Sequence, residues 1–248
     1  ELNEALQASA VRLVGGASYV GVGTVEFLLS PEGFYFLEVN PRLQVEHGIT
    51  EEVTGIDLVQ LQIRIAEGES IKDIHPVTRG VAIEARVNAE DPDQRFLPSP
   101  GRIVCFDAGL GPRVRVDSGV AVGTTVPPDF DSLIAKVIAT GSTREEARAR
   151  LSVALKDFEL VVQGGATNKG YLLEVLEADA YRAGSVDTGW LDRWNDERVG
   201  LPAARADLAP DALVAAAILA YQQVRGQVRE HFYADATGIS PDRIPPNS

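Results

Sequence analysis

Methionine is absent from this sequence, and cysteine and aromatic residues are scarce. Its 248 residues include no Met, a single Cys and 6% aromatic residues. One cysteine cannot form a disulfide within the chain, so nothing in the sequence favours an oxidising compartment. Cys105 lies in an alternating apolar run, and we expect a buried structural thiol there. Without an initiator methionine, and with first residues that have the pattern of a helix interior, the sequence is predicted to begin within a longer chain.

Long apolar runs and excess positive charge are absent too. No stretch approaches the ~20 apolar residues of a membrane span, and the first residues lack a signal-peptide pattern, so we expect a cytoplasmic protein that does not enter a membrane. The chain has 23 Lys and Arg residues against 36 Asp and Glu residues, a net charge of −13. Nucleic acid is therefore not an expected partner, because affinity for the phosphate backbone comes from accumulated cationic side chains.

The residues that are present fit a globular fold of one large or two modest domains, with 45% hydrophobic and 24% charged residues. Residues 2–14 have apolar positions at helical spacing and end at two glycines. Two β-favouring runs, 21–29 and 34–40, flank a Pro-Glu-Gly turn and predict a hairpin. A second helix is predicted over residues 56–67, entered near Gly55, and these elements form one α/β unit.

A segment without clear period, residues 71–80, separates this unit from a second one, which mixes strand and helix patterns and is α+β in type. Strands are predicted over 81–90, 102–109 and 113–120; residues 91–101 are predicted as an ordered loop, and residues 130–141 fit either a strand or a short helix. Helices are predicted over 143–158, with Ser142 or Thr143 as N-cap, and over 167–176. A polar linker and an alanine-rich helix near residues 210–223 follow.

The predicted hairpin brings two carboxylates together. If Leu28 pairs with Phe36, Glu26 lies opposite Glu38 on the same face, and Asn40 follows two residues later. Like charges placed opposite each other destabilise a sheet unless a cation lies between them, and Mg²⁺ prefers carboxylate and amide oxygens shared with substrate phosphates. The pattern therefore predicts a Mg-nucleotide site. A hairpin in another register, with two solvated glutamates, is the alternative.

Polar residues then recur at every second position: Asn40, Arg42, Gln44 and Glu46. An extended backbone would point them all one way and line one wall of a site. An arginine fork suits a planar oxyanion, and a glutamate nearby suits proton abstraction, so bicarbonate fits this set. The alternative is an exposed loop of mixed charge. His47 is interpreted as an orienting or structural residue, because no second histidine or cysteine lies near it in sequence.

Arg86 is the candidate of the second unit. The strand pattern puts Ile83, Ala85 and Val87 on one face and Arg86 on the other. A guanidinium held by a strand could stabilise a developing oxyanion. A surface arginine paired with a neighbouring acid is the alternative.

Four runs of this sequence resemble biotin carboxylases. The run GTVEFLLSPEGFYFLEVNPRLQVEHGITEEVTGIDLVQLQIRIAEGE closely resembles the last part of their ATP-grasp domain, and the runs EARVNAEDP, FLPSPGRI and VPPDFDSLIAKVI resemble their C-terminal domain. The resemblance implies an α+β fold: the C-terminal portion of an ATP-grasp fold over residues 1–70 and a biotin carboxylase C-terminal domain over 71–192. A linker and helical extension would follow over 193–248.

The resemblance also implies roles for individual residues. Glu26, Glu38 and Asn40 fall where the family holds Mg²⁺ or Mn²⁺ against ATP, and the bicarbonate site falls on Arg42, Gln44, Val45 and Glu46. Glu46 would be the base that deprotonates bicarbonate for attack on the γ-phosphate. The resulting carboxyphosphate gives CO₂ and phosphate, and phosphate takes the N1 proton of biotin. Arg86 would stabilise the biotin enolate that captures CO₂.

Cofactors and partners follow from the same resemblance. They are ATP, Mg²⁺ or Mn²⁺, and biotin carried on another domain or chain, since the Ala-Met-Lys-Met attachment motif is absent. A biotin carboxyl carrier domain, a carboxyltransferase and a homodimer or larger complex are the expected partners, within an acyl-CoA or related carboxylase that would serve fatty acid metabolism. The family's glycine-rich loop and ATP-binding lysines precede Glu1, so the chain alone is expected to bind ATP poorly. Asn168 is assigned a structural role.

Two other functions stay open at this point. One is a non-catalytic module that serves only dimerisation or assembly of a carboxylase complex. The other is a different ATP-grasp ligase, such as a carbamoyl phosphate or carboxylate-amine ligase, although the runs FLPSPGRI and FDSLIAK argue against it.

Overall fold

A computed structural model describes residues 2–108 and 111–198 of the chain. The contacts divide the chain into two units, Glu1–Val186 and Asp187–Ser248. Within the described part of the second unit there is one helix, Trp190–Arg198. The alanine-rich helix predicted near residues 210–223, and most of the predicted extension, lie outside the described residues. In the ranges that the structure describes, no helix has the length and apolar character needed to cross a membrane.

The first part of the larger unit contains three helices and a hairpin: α1 Leu2–Gly16, β1 Thr24–Ser30, β2 Gly33–Asn40, α2 His47–Thr54 and α3 Leu58–Ala66. The predicted hairpin is confirmed, and Glu26 pairs with Glu38 as expected. The pairing from which that was reasoned is wrong, since Leu28 pairs with Tyr35 and Phe27 with Phe36. A bulge between Glu26 and Phe27 restores the predicted register, because it inserts one extra residue, Leu37, into β2.

The helices after the hairpin differ from the prediction. The sequence did not predict α2, and the predicted start of α3 near Gly55 is wrong. Gly55 has a positive φ of 72° and is the C-cap of α2, so it ends one helix instead of opening the next. The next helix begins at Leu58, where the side chain of Asp57 caps it by accepting a hydrogen bond from the Gln60 amide at 2.7 Å.

The second part of this unit consists of short strands and helices, all strand pairs being antiparallel. The elements are β3 Val81–Asn88, β4 Glu90–Asp91, a 3₁₀ turn Pro92–Gln94, β5 Leu97–Pro98, β6 Gly101–Asp107, β7 Val114–Ser118, β8 Thr125–Val126, β9 Leu133–Gly141, α4 Arg144–Asp157, β10 Glu159–Gln163, α5 Lys169–Glu177 and α6 Asp179–Ala183. The α+β class is confirmed. The segment that fitted either a strand or a short helix is the strand β9, and the predicted loop 91–101 contains the 3₁₀ turn and the two-residue strand β5.

The central strand β9 lies between β3 and β7 and is covered on both faces. Toward one face, Val137 is buried in the apolar core with Leu151 and Leu155 of α4. Toward the other, Ile138 lies beneath α2, where a Cβ on Gly48 would come within 2.5 Å of its Cδ1 atom. The face of this sheet under α2 therefore supports the segment that joins the hairpin to α2.

Thr143 is the N-cap of α4 and accepts a hydrogen bond from the Glu146 amide at 3.2 Å, which confirms one of the two predicted caps.

Cys105 is half-buried, so the prediction of a buried thiol is wrong. The β6–β10 register shifts between Val161 and Val162, and this bulge turns Cys105 toward the side of the exposed Val161, away from the buried Ile103.

Candidate active site

The hairpin ends in a cluster of two carboxylates and two amides. The Asn40 side-chain amide donates to Glu26 Oε1 at 2.8 Å and to Glu38 Oε1 at 3.0 Å, and Gln44 donates to Glu26 Oε1 at 3.2 Å. The paired register thus places both carboxylates on the same amide group. Amide N–H groups supply here the positive partner that two neighbouring carboxylates need.

This donor set fits a hard divalent cation. Two carboxylates and an amide, whose oxygen a rotation of the Asn40 side chain would present, are ligands that Mg²⁺ accepts. In residues 2–108 and 111–198, no group of three or more His, Cys, Asp or Glu is placed to hold a metal. An ion at the hairpin would therefore complete its coordination with the amide oxygen, water or substrate phosphates.

The segment after β2 leaves the extended conformation. The Arg42 amide donates to the Asn40 carbonyl at 2.9 Å, and Glu46 has φ −79° and ψ 7° as the residue before α2. The expected single wall of alternating side chains is therefore wrong, because the backbone turns at Val45 and Glu46. Gln44 points to the carboxylate cluster, whereas the Arg42 guanidinium donates to the Leu43 carbonyl at 3.2 Å.

His47 begins α2. Its Nδ1 atom lies 2.8 Å from the Gln44 carbonyl, one turn back in the chain. That contact fixes the ring against the backbone of the turn and fits the orienting role predicted for His47.

Glu46 and Arg86 form an ion pair between side chains 40 residues apart in sequence. Both are about half exposed, at 47% and 45%, so a substrate can reach the pair. Arg86 projects from β3 between the buried Ala85 and Val87 and also lies 3.5 Å from Glu84. An arginine paired with acids was the alternative stated for Arg86, but one of those acids is itself a predicted site residue.

Glu84 is the more deeply buried of the two acids beside Arg86, with 4% of its side chain exposed. Its Oε2 atom has no hydrogen-bond partner among the described residues. Burial raises the pKa of Glu84 above its usual value, although the charges of Lys136 and Arg86 act in the opposite direction.

Sequence reasoning missed Lys136, which lies beneath the turn. Lys136 is 6% exposed, and its Nζ atom donates to the Val45 carbonyl at 2.9 Å and lies 3.1 Å from Asp117 Oδ2. The available signal was a single lysine within the otherwise apolar strand LIAKVIATG, since a lysine is almost never fully buried unless it is paired.

A second set of ion pairs holds α2 itself. Arg115 donates to Asp117 Oδ1 at 2.8 Å and to Glu51 Oε2 at 2.7 Å, and Glu51 also accepts from the Leu58 amide at 2.8 Å. Burial raises the pKa of Asp117, but hydrogen bonds from Arg115 and Lys136 outweigh it, so that pKa lies below its usual value. The same hydrogen bond, which Arg115 donates to Asp117, raises the pKa of Arg115. Both shifts favour the charged forms of Asp117 and Arg115.

Asn168 supports the strand that carries Arg86. Its side chain is buried, accepts a hydrogen bond from the Asn88 amide at 2.9 Å and donates to the Arg86 carbonyl at 3.1 Å. These bonds take the place of a neighbouring strand at the edge of β3, which fits the structural role predicted for Asn168.

Both parts of the larger unit match models of known protein families. Residues 84–193 match the model of the biotin carboxylase C-terminal domain. Over these residues the chain is similar to biotin carboxylases. Residues 1–74 match the model of the ATP binding domain of the carbamoyl-phosphate synthase L chain. Arg86 and Lys136 thus lie within the match to the biotin carboxylase C-terminal domain, and Glu46 lies within the match to the ATP binding domain. The ion pair between Glu46 and Arg86 joins the two matched regions.

Named relatives agree with this assignment. Biotin carboxylase of Nostoc sp. is 43% identical over 198 residues, which cover 79% of this chain and 44% of that protein. Pyruvate carboxylase 1 of Caenorhabditis elegans is 46% identical over 198 residues, covering 77% of this chain and 17% of that protein.

A solved structure agrees as well. The biotin carboxylase domain dimer of Hydrogenobacter thermophilus 2-oxoglutarate carboxylase, in complex with MgADP, ADP and bicarbonate, has a TM-score of 0.73 and 36% identity. The match covers 77% of this chain and 42% of that one. The chain therefore spans less than half of the length of these relatives.

Proposed function

We propose that this chain is part of a biotin carboxylase that uses MgATP and bicarbonate to carboxylate biotin on a carrier domain. The Glu46–Arg86 ion pair carries the proposal, because it joins the proposed base of one domain match to the proposed oxyanion-stabilising arginine of the other. We also propose that the chain divides into the ATP-grasp part at residues 1–70, the C-terminal domain at 71–192, and a linker with a helical extension at 193–248.

The hairpin cluster is the proposed nucleotide side of the site. Glu26, Glu38 and Asn40 would hold Mg²⁺, which when bound neutralises negative charge on the ATP phosphates. Gln44 hydrogen-bonds Glu26 and so keeps the carboxylate oriented toward the end of the hairpin. The opposed carboxylates, with the amide oxygen that a rotation of the Asn40 side chain would present, would supply the oxygen ligands of a hard cation.

The turn after the hairpin is the proposed bicarbonate side. Arg42, Gln44 and the Val45 backbone would bind the planar anion, and Glu46 would accept its hydroxyl proton as a bicarbonate oxygen attacks the γ-phosphorus of ATP. ADP leaves and carboxyphosphate forms. Arg86 holds the Glu46 carboxylate by a charge-assisted hydrogen bond, which fixes the direction from which the proton is taken.

Arg86 has a second proposed task. Carboxyphosphate splits into CO₂ and phosphate, the phosphate takes the N1 proton of the biotin substrate, and negative charge develops on the ureido oxygen. A guanidinium held on a strand, with its backbone fixed by Asn168, is suited to stabilise that charge without reorganising. The N1 atom then bonds to the carbon of CO₂.

The surrounding complex is proposed more broadly. A biotin carboxyl carrier domain and a carboxyltransferase domain or subunit are the partners this half-reaction requires, in a homodimer or larger complex. The relatives include a protein named pyruvate carboxylase and one named acyl-coenzyme A carboxylase alpha3 subunit. An acyl-CoA acceptor, with a role in fatty acid metabolism, therefore stays a prediction. A cytoplasmic location also stays a prediction, because one relative is named chloroplastic.

The test is bicarbonate-dependent ATP hydrolysis, measured with and without free biotin on a natural polypeptide that includes the rest of the ATP-grasp domain, and on this segment alone. We expect hydrolysis that biotin stimulates in the longer polypeptide and none in the segment. Absence of hydrolysis in both, with dimerisation retained, would reject the proposal in favour of a non-catalytic assembly module.

A further inference from the structure

We propose that Lys136 is a positioning residue of this site: from beneath, it fixes the peptide bond between Val45 and Glu46 and so aims the Glu46 carboxylate. This inference rests on the proposed function, since it assigns Lys136 to the same reaction. Lys136 belongs to β9, within the match to the biotin carboxylase C-terminal domain, whereas the peptide bond it contacts lies within the match to the ATP binding domain.

The burial of Lys136 calls for an explanation. β9 is apolar apart from this residue and Thr140, and its neighbours Ala135 and Val137 are each 1% exposed. A lysine in such a strand loses hydration and rotamer freedom, so it is stable only where its ammonium group has partners. The partners of Lys136 are the Val45 carbonyl at 2.9 Å and Asp117 at 3.1 Å, and the carbonyl is the one that lies in the proposed site.

The sheet register explains what this contact does. Lys136 is the direct cross-strand partner of Arg86 on β3 and of Asp117 on β7, so the three side chains form one row across the sheet. Neighbouring strands are about 4.8 Å apart. Two adjacent cations of the row therefore hold residues 45 and 46 together: Lys136 takes the backbone carbonyl of Val45, and Arg86 takes the side chain of Glu46.

Fixing the Val45 carbonyl also fixes the next amide group. The peptide bond between Val45 and Glu46 is trans. In a planar trans peptide the N–H points opposite to the C=O, so the Glu46 N–H points away from Lys136 and the sheet. Lys136 thereby sets the orientation of a backbone donor on the side of the turn where an anion would bind, and it sets where the Glu46 side chain leaves the backbone.

The rest of the row holds Lys136 in turn. Asp117 is shared between Lys136 and Arg115, and Arg115 continues to Glu51 in the middle of α2. Gly48 lets α2 lie close to this layer, because a Cβ there would be 2.5 Å from Ile138 Cδ1 and 3.8 Å from Lys136 Nζ. The turn at 45–46 is therefore attached to the sheet directly and through α2.

The test uses Lys136→Met, which keeps the length of the side chain and removes the donor, in the natural polypeptide with a complete ATP-grasp domain. We expect kcat/KM for bicarbonate to fall about 10- to 100-fold while KM for ATP stays within about twofold, since a misplaced base costs rate without loosening nucleotide binding. Amide hydrogen exchange should accelerate over residues 45–50 and not in β9. Lys156→Met, an exposed lysine of α4, is the matched control and should match the wild type in both measurements.

Lys136→Arg covers the case in which the methionine variant does not fold. It keeps the charge opposite Asp117, but its planar fork places the N–H donors beyond the position of Nζ, so we expect a folded protein with about 3- to 10-fold lower kcat/KM for bicarbonate. If Lys136→Met folds and has the kinetics and amide hydrogen exchange of the wild type, the inference is overturned. If Lys136→Met does not fold, the same result in Lys136→Arg overturns it. If the wild-type protein shows no bicarbonate-dependent ATP hydrolysis, the proposed function is rejected instead. Amide hydrogen exchange in the variants would still test the contact between Lys136 and the Val45 carbonyl.

Discussion

At the residue scale, hydrogen bonds from neighbouring side chains hold the carboxylates of the site. Glu46 and Arg86 pair with each other at about half exposure, and Asn40 serves both hairpin glutamates. Pairing orients these groups but leaves them accessible, which is what proton abstraction and anion binding require.

Glu46→Gln should lower bicarbonate-dependent ATP hydrolysis by at least ~10²-fold, because an amide cannot accept the proton that a carboxylate base accepts. The side chain keeps its size, so the fold should be unaffected. Steady-state hydrolysis in the complete polypeptide measures the loss. Glu67→Gln, at an exposed position after α3, is the control. A rate near that of the wild type would remove the role of base from Glu46.

Arg86→Ala should lower biotin carboxylation by at least ~10²-fold, since it removes a preorganised positive charge. Arg86→Lys should recover only part of the rate, because an ammonium group is a point charge without the planar fork of arginine. Formation of carboxybiotin is the measurement, and Arg64→Ala, at a position of α3 whose side chain is 40% exposed, serves as control. If both Arg86 variants carboxylate biotin normally, the guanidinium has only a structural role.

Glu84 gives a pH-dependent prediction. Burial raises its pKa in the folded protein, so the folded state binds this proton more tightly than the unfolded state. Stability contributed by this group is thus lost as the pH rises from the unfolded pKa through the folded one. Glu84→Gln removes the ionisation and should raise Tm relative to the wild type at pH 8, with a smaller difference near pH 4.5. A Tm difference that does not change with pH would contradict the assignment; Glu159→Gln, on the exposed side of β10, is the control.

At the scale of elements, α2 is the piece that converts a hairpin into a site. It begins at His47, directly after Glu46, and lies on the face of β9 and β3 that carries Lys136 and Arg86. Because its N-terminal residue adjoins Glu46, any shift of α2 moves the proposed base. At this interface Gly48 leaves no room for a side chain, because a Cβ there would lie 2.5 Å from Ile138 Cδ1.

Gly48→Ala should destabilise the protein by roughly 1–3 kcal/mol, as expected for overpacking, because its Cβ would approach Ile138 Cδ1 to 2.5 Å. Ile138→Val removes that carbon and alone should cost about 0.5–1.5 kcal/mol. The double variant should be more stable than the sum of the single effects predicts, which denaturant unfolding can measure as a coupling energy. Strict additivity would show that the two residues do not meet.

At the scale of the larger unit, stability depends on the packing of α4 against the sheet around β9. Leu151 and Leu155 are fully buried there with Phe158, whose ring packs edge-on against Phe106 at 5.2 Å between centroids. This core lies on the face of β9 opposite to the site. Changes in the core are therefore expected to lower stability without acting on the charged row directly.

Leu151→Ala should cost about 2–5 kcal/mol, since it leaves a cavity in a closely packed core. Val153→Ala, on the exposed side of the same helix at 57% exposure, should change stability by less than about 0.5 kcal/mol. Denaturant unfolding of the two variants measures the difference. Equal effects would mean that α4 does not pack as described.

The sequence by itself determined the features that depend on neighbours in the chain. The hairpin, the strand that carries Arg86 and the Thr143 cap all followed from alternation, turn residues and capping pattern, and the family motifs lie in the same runs. These features are local, because strand period and cap chemistry are properties of a few consecutive residues.

Only the tertiary structure decided the rest. The turn at Val45 and Glu46, the helix α2 and the buried Lys136 depend on contacts between segments 40 to 91 residues apart. The bulge at Leu37 depends on how the two strands of the hairpin pair, and it is what brings Glu26 opposite Glu38. A bulge keeps the local strand pattern unchanged, and a lysine in an apolar strand reveals its role only when its partner is known. The ion pairs that join the two domain matches exist because the sheet places Arg86, Lys136 and Asp117 in one row. That row is a product of strand register, which no single stretch of the sequence encodes.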